Sequence, residues 1–327
     1  MILVGINGMS QGYGSYFVDS KTPQSTQAFG DFEAYVAGII AQVEESYHTA
    51  TTPGSPANRA VLGVGMGGFG AVHLAASNPI FSAVIVHSGL LSLSDLFSPD
   101  DVVAAAYPEG GVDGSLWSEV MAAWEAAYGT DVLDGRLFDL VGPGQPAISR
   151  LASMASAFSP LKAFFAEFDQ AGSTSLGAAQ GMVTDIDGDP ANNQDYPVYA
   201  VDTNLTTTVI DDTYTGFRLP WSADGTVDDS TWALWAAFEP LAAVEGAAEA
   251  LKAADTDFYL DCGQSDERGF SDQAQAFFQG ASPLLGGEQL TLTLYEGDHG
   301  VVIYTERFYQ SLLWLSGVLA DEAEASP

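Results

Sequence analysis

The run Gly63-Val64-Gly65-Met66-Gly67-Gly68 stands between an apolar stretch, RAVLGV, and a stretch of helical composition, FGAVHLAASNP. A strand turning sharply into a helix at glycines is the setting of the nucleophile elbow, G-x-S-x-G. There a serine on a strained turn stands exposed above a sheet and attacks acyl groups. The glycines answer a steric need, because strand and helix backbones come so close that side chains would collide. Here every glycine of the pattern is present and the serine is not: position 65 is glycine. A second match, Gly8-Met9-Ser10-Gln11-Gly12, also follows an apolar run, but the GYGSYFVDSKTPQ behind it does not propagate a helix. An elbow needs that helix N-terminus for the following backbone N–H, so Ser10 reads as a loop residue, not a nucleophile. The series Asp185, Asp187, Asp189, Asn192, Asn193 and Asp195 offers alternating hard oxygen ligands suited to calcium. It lacks the glycine and glutamate of an EF-hand loop, with Pro190 at the sixth position, and a solvated acidic loop is the competing reading.

The elements that must hold these residues follow from periodicity. Ile2–Asn7, an apolar run ended by glycines, reads as a buried strand, and 29–48 reads as a helix with Phe32, Tyr35, Val36, Ile39, Ile40 and Val43 on one face. TATTPGSPAN (49–58) is a loop by composition. RAVLGV, the glycine turn, the helix stopped at Pro79 and the strand SAVIVHSG (82–89) form a parallel βαβ unit. DFYLDCG (257–263) and QLTLTLYEG (289–297) read as further strands, with SDQAQAFFQGA and ERFYQSLLWLSGVLA as helices. The expected class is α/β: a mostly parallel, doubly wound sheet in one domain over 1–327. Residues 95–245, with the helices SLWSEVMAAWEAAYG and ISRLASMASAFSPLKAFFAEF and then a polar Asp-, Asn- and Thr-rich stretch, read as a helical and irregular insertion or lid.

Composition sets the outer limits. The chain of 327 residues carries 9 Lys+Arg against 43 Asp+Glu, a net charge of −34, and is 47% hydrophobic. That hydrophobic share excludes a disordered acidic tail, and the charge argues against nucleic acid and anionic membrane surfaces. A single cysteine, Cys262, allows no internal disulfide and no cysteine-based zinc site. No run is long enough for a transmembrane helix, and the first residues read as a strand, not a signal peptide. The imbalance suits a protein working in high salt, where charges are screened. A marine or secreted protein of low pI is the equal alternative, so location is open between an exported compartment and a salt-adapted cytoplasm.

GVGMGGFGAVHLAASNPIFSAVIVHSG resembles the G-x-S-M-G-G-x-G-A segment of the putative esterase family of α/β hydrolases, which includes S-formylglutathione hydrolases, feruloyl esterases and mycolyltransferases. ILVGINGMSQGYGSYFVDS is similar to the family's strand and the following loop, which lines the site and here carries Ser10 and Tyr16. LASMASAFSP, TGFRLPW and TWALWAAFEPL resemble its middle region, and about 160–212 looks like an added insertion. FYLDCGQSDERGFSDQAQAFF resembles the segment carrying the acid, and LYEGDHGVVIYTERFYQSLLWL the segment carrying the histidine.

The resemblance implies hydrolysis of a small-molecule carboxylic ester, short-chain or aryl, with no cofactor. It assigns Asp266 as catalytic acid, His299 as general base, Gly65 as the nucleophile position and the Met66 amide as an oxyanion donor. Glu267 and Asp298 are close enough in sequence to be confused with the acid. Trp221, with Trp232 and Trp235, is a candidate wall of an acyl or aryl pocket, against core packing of the lid. The family has strands before the one that opens this chain, one of them bearing a second oxyanion N–H, so the amino-terminal strands are expected to be missing. Without a hydroxyl at 65 no acyl-enzyme forms, and the chain is expected to be inactive as a serine esterase. Either a deliberate substitution or natural loss accounts for the glycine, and a non-catalytic, ligand-binding derivative is the alternative function. His48, His73 and His87 read as packing residues and Cys262 as a buried small hydrophobe.

Overall fold

The computed structural model describes residues 2–10, 13–21, 28–49, 58–96, 116–129, 146–159, 229–299 and 306–325. The chain divides into two compact units: one of Met1–Ser15, Asp19–Asp31 and Leu116–Trp235, the other of Tyr16–Val18, Phe32–Ser115 and Ala236–Pro327.

The first unit holds two antiparallel ladders: β1 (Met9–Ser10) with β2 (Tyr13–Gly14), and β3 (Asp19–Lys21) with β4 (Ala28–Asp31). Its helices are α3 (Leu116–Tyr128), α4 (Pro146–Phe158) and the segment α5 (Asp229–Ala236), which ends at the unit boundary. α3 packs on α4, burying Val120, Trp124, Ile148, Leu151 and Met154. An Arg150–Glu119 ion pair links the same two helices. Trp235 is fully buried against Phe158, and its Nε1–H donates to Ser159 Oγ at 2.8 Å. A buried indole needs such a partner, which makes Trp235 a packing residue of this unit.

The second unit is built on a four-stranded sheet in the order β5 (Ala60–Val64), β6 (Ala83–His87), β7 (Asp257–Gly263), β8 (Leu290–Tyr295), every pair parallel. α1 (Phe32–Ser46) precedes β5, and α2 (Met66–Ser77) is the crossover from β5 to β6. α6 (Pro240–Ala253), α7 (Phe270–Leu285) and α8 (Glu306–Ala325) complete it. α2 packs on β5, β6 and α6, and α7 on α6, β7 and β8. α8 seals an apolar cluster of Ala83, Ile85, Tyr259 and Leu315, edged by Leu62, Leu312, Trp314 and Leu319. β6, AVIVH, is buried along its whole length, as a strand covered on both faces must be.

Some elements differ from the sequence expectation. Ile2–Asn7 is not a strand: Ile2, Leu3 and Val4 are exposed at 46%, 77% and 46%. An apolar run becomes a strand only where it joins a ladder, and none of the described sheets includes Ile2–Asn7. The helix expected over 29–48 is preceded by β4 and begins at Phe32, with Val36 its buried residue and Tyr35 exposed. α7 runs past the expected end to Leu285. His48 lies beyond the end of α1 and is exposed, so it is not the packing residue expected.

Candidate functional site

β5 ends at Val64 and α2 begins at Met66, so one residue makes the turn. That residue, Gly65, has φ 56° and ψ −116°, a conformation strained for any residue with a Cβ. Its N–H donates to the His87 carbonyl at 3.1 Å, and its carbonyl accepts from Gly68 N–H at 3.1 Å. The turn is thus fixed to β6 on one side and to the first turn of α2 on the other. A Cβ at 63 would run into the Gly67 carbonyl, and one at 68 would stand 2.9 Å from Val86 Cγ1. Nothing lies within 4 Å of the point a Cβ at 65 would occupy. Packing therefore requires glycine at 63 and 68, whereas at 65 only conformation favours it. Met66 is the first residue of α2, where backbone N–H groups have no intrahelical acceptor and face a position favourable to negative charge.

At the same carboxyl end of the sheet, the segments after β7 and β8 stay joined. Gln264 N–H donates to the Tyr295 carbonyl and Ser265 N–H to the Gly297 carbonyl, both at 2.9 Å. This close approach carries two side chains together: His299 Nδ1 lies 2.8 Å from Asp266 Oδ2. An ionised carboxylate only accepts, so Nδ1 is the donor, and Nε2 on the opposite edge of the ring is the nitrogen turned away from Asp266. Asp266 Oδ1 accepts from Arg268 N–H at 2.9 Å, and Cys262 Sγ–H donates to Oδ2 at 3.3 Å. Burial pushes the Asp266 carboxyl up, but the hydrogen bonds from His299 and Arg268 outweigh it and hold the carboxyl below its ordinary value. The Cys262 thiol is driven the other way, first by burial and then by Asp266, so it stays a neutral donor.

The structure thus brings Asp266 to the imidazole, and not Glu267 or Asp298. Glu267 has a part that sequence reasoning missed: its Oε2 accepts the backbone N–H of His299 at 3.1 Å. An acceptor for a main-chain donor leaves no pattern in the sequence. The Phe270 ring stands edge-on to the imidazole, with ring centroids 5.4 Å apart. Of the remaining candidates, Ser10 lies in β1, whose hairpin partner β2 follows it where an elbow would need a helix. Tyr16 is buried at 5% exposure, its ring edge-on to Phe69 at 5.4 Å. Trp221 and the acidic series at Asp185, Asp187 and Asp189 lie outside the described residues. Among the described residues, no group of three or more His, Cys, Asp or Glu side chains is placed to hold a metal ion.

A second histidine–aspartate pair lies deeper. His87 Nδ1 is 2.8 Å from Asp261 Oδ1, both side chains fully buried, and His87 Nε2 is 3.1 Å from Ser311 Oγ. Arg307 Nε–H donates to Asp261 Oδ2 at 3.2 Å, and its guanidinium stands 4.5 Å above the Tyr295 ring. The signal was present in the sequence, since a charged residue inside DFYLDCG and a histidine closing AVIVH pair in register across β6 and β7. His73 is also buried. Its Nε2–H donates to the Phe238 carbonyl at 2.6 Å, and burial drives its pKa down to about 4.

The profile of the family described as "Putative esterase" matches residues 6–314. The chain belongs to the putative esterase family. With the parallel sheet and its covering helices, this makes the architecture an α/β-hydrolase fold. Solved structures similar to this esterase-family chain include a ferulic acid esterase, at 13% identity and TM-score 0.42, covering 94% of this chain and 68% of that one. A carboxylesterase structure from the thaumarchaeon Nitrososphaera gargenis is 13% identical with TM-score 0.33, covering 88% of this chain and 73% of that one. A monoacylglycerol lipase of Paleococcus ferrophilus is 13% identical with TM-score 0.33, covering 89% and 74%. No curated protein matches the chain in sequence. No helix of this esterase-family chain, among the described residues, is long and apolar enough to cross a membrane.

Proposed function

We propose that this site is built for serine-type hydrolysis of small-molecule carboxylic esters, short-chain or aryl, and that Gly65 leaves it without an acyl-enzyme step. His299 is the general base, Asp266 orients it and stabilises its protonated form, and the Met66 amide faces the oxyanion. The observation that carries the reading is the 2.8 Å bond from His299 to Asp266 at the carboxyl end of a sheet whose one-residue β5–α2 turn has φ 56° and ψ −116°. Removing a triad nucleophile costs on the order of a million-fold in turnover, so the parent chain lacks esterase activity of ordinary size.

The test is Gly65→Ser with a p-nitrophenyl ester. The reading expects hydrolysis far above the parent, inactivation by a fluorophosphonate that labels the introduced hydroxyl, and loss of that gain on adding His299→Ala. Equal, substantial turnover in the parent and the serine variant would overturn the placement of the nucleophile. A serine variant that stays inactive while both chains bind ester analogues favours the alternative, a ligand-binding derivative of an esterase, which Gly65 itself supports.

A further inference from the structure

Loss of the serine removes the nucleophile but leaves the base, and the two losses are not equivalent. The turn at 65 still places a residue without a side chain between β5 and the N-terminus of α2, and nothing lies within 4 Å of where its Cβ would be. The Cβ position is open space, so a water molecule can stand beside the turn there without a steric clash. The imidazole is set as a base by four contacts independent of position 65. Asp266 holds Nδ1 at 2.8 Å, Arg268 N–H and Cys262 Sγ–H hold Asp266, and Glu267 holds the His299 main chain at 3.1 Å. The histidine side chain is 14% exposed, so water reaches it while Asp266 behind it is fully buried.

We propose that the chain as it stands hydrolyses activated acyl compounds, aryl esters and thioesters, by direct attack of a water that occupies the side-chain position of residue 65. The inference rests on the site assignment above and adds an activity that needs no serine. In the step, the water oxygen bonds to the acyl carbon as one of its protons passes to His299 Nε2. The carbonyl oxygen takes the negative charge, facing the Met66 N–H. Collapse breaks the bond to the leaving phenol or thiol, which recovers the proton from Nε2, and a free carboxylic acid departs. No covalent intermediate on the protein forms and no co-reactant is consumed. Activated leaving groups are required because water bound this way lacks the entropic advantage of an attached nucleophile.

The experiment uses the parent chain with p-nitrophenyl acetate, beside His299→Ala, His299→Gln and Gly65→Ala, each checked by circular dichroism. The parent is expected to exceed buffer by about 10³-fold, the scale left when a nucleophile is absent but the rest of a site remains. Both histidine variants are expected to lose at least ten-fold of that, since general-base catalysis supplies about 10²–10⁴. Gly65→Ala, whose methyl takes the water's place, is expected to fall likewise, although alanine changes no ionisable group. The parent rate is expected to be untouched by a fluorophosphonate that inactivates Gly65→Ser. A parent rate no higher than that of His299→Ala overturns the proposal, as does a Gly65→Ala rate equal to the parent. A parent rate abolished by the fluorophosphonate overturns it too, because a serine elsewhere then does the chemistry. If Gly65→Ser alone fails to gain activity, the site assignment falls, and that result is separate from the comparison of parent and histidine variants.

Discussion

Gly65 sits where conformation and packing make opposite demands on a substitution, and the structure separates them. At φ 56° and ψ −116° a residue with a Cβ is strained by about 1–3 kcal/mol. Replacing glycine also stiffens the unfolded chain, which returns about 0.4–1 kcal/mol. No steric term is added, since the Cβ would meet nothing within 4 Å. Gly65→Ala is therefore expected to lower unfolding stability by about 1–2 kcal/mol, and Gly65→Ser by the same amount within a few tenths. The assay is equilibrium unfolding in urea, read as a shift in midpoint at unchanged slope, since the surface exposed on unfolding does not change. Gly63→Ala is the internal control. Its Cβ would collide with the Gly67 carbonyl, so it must lose more than either change at 65. If Gly65→Ala proves as stable as the parent or more so, the glycine does not relieve strain, and the turn is not the strained turn that an elbow requires. If it loses as much as Gly63→Ala, the open space beside residue 65 is wrong, and with it the room for a water molecule there.

Three further outcomes are expected. His73 is neutral in the fold, with a pKa near 4 against 6.5 in the unfolded chain, so the unfolded state binds more protons between those values. Its contribution, about 3 kcal/mol, is complete above pH 6.5 and is lost as pH falls toward 4. Unfolding free energies of the parent and His73→Phe, measured from pH 8 to 4, should diverge by that amount, and parallel curves would refute it. In the Gly65→Ser background, Glu267→Ala is expected to lower kcat about ten-fold with little change in KM, while Glu267→Gln, which keeps an oxygen acceptor for His299 N–H, holds most of the activity. Equal losses in both variants would mean that the charge, not the hydrogen bond, matters. His87→Phe leaves Asp261 Oδ1 without its imidazole donor while Arg307 still holds Oδ2, and a loss of about 1–3 kcal/mol in urea is expected; a loss below about 0.5 kcal/mol would mean that the buried bond is dispensable.

Legibility in the sequence followed how local each determinant is. β6 and β7 were readable because AVIVH and DFYLDCG are strand-length runs with buried positions on both faces, and the glycines at 63 and 68 marked the tight passage into α2. Ile2–Asn7 has the same apolar character, but pairing depends on what lies alongside, which composition does not specify. The choice of Asp266 over Glu267 and Asp298 was available only through family resemblance. Three carboxylates in the loops that follow β7 and β8 are equivalent by type, and only the backbone path decides which one meets the imidazole. His87 shows the converse case. Its placement as a core residue was readable from AVIVH, whereas its bond to Asp261 needed the register between two strands, joining residues 174 apart in the chain.

The two histidine–aspartate pairs show why the chemistry of residues alone does not identify a site. Both join Nδ1 to a carboxylate at 2.8 Å, and both carboxylates are enclosed. What differs is the second nitrogen and its surroundings. His87 Nε2 is occupied by Ser311 Oγ on α8, its ring is stacked on Phe308 at 5.1 Å, and no part of the side chain reaches solvent. Serine, histidine and aspartate stand in relay order there, yet no acyl group can approach, and the arrangement ties α8 to the centre of the sheet. His299 lies beyond the strand end, with its Nδ1 held by Asp266 and its side chain partly open. A base must be fixed on one edge and accessible on the other. Within this esterase-family sheet the relay that contains a serine is closed to substrate, and the dyad open to solvent shares its end of the sheet with the β5–α2 turn at Gly65.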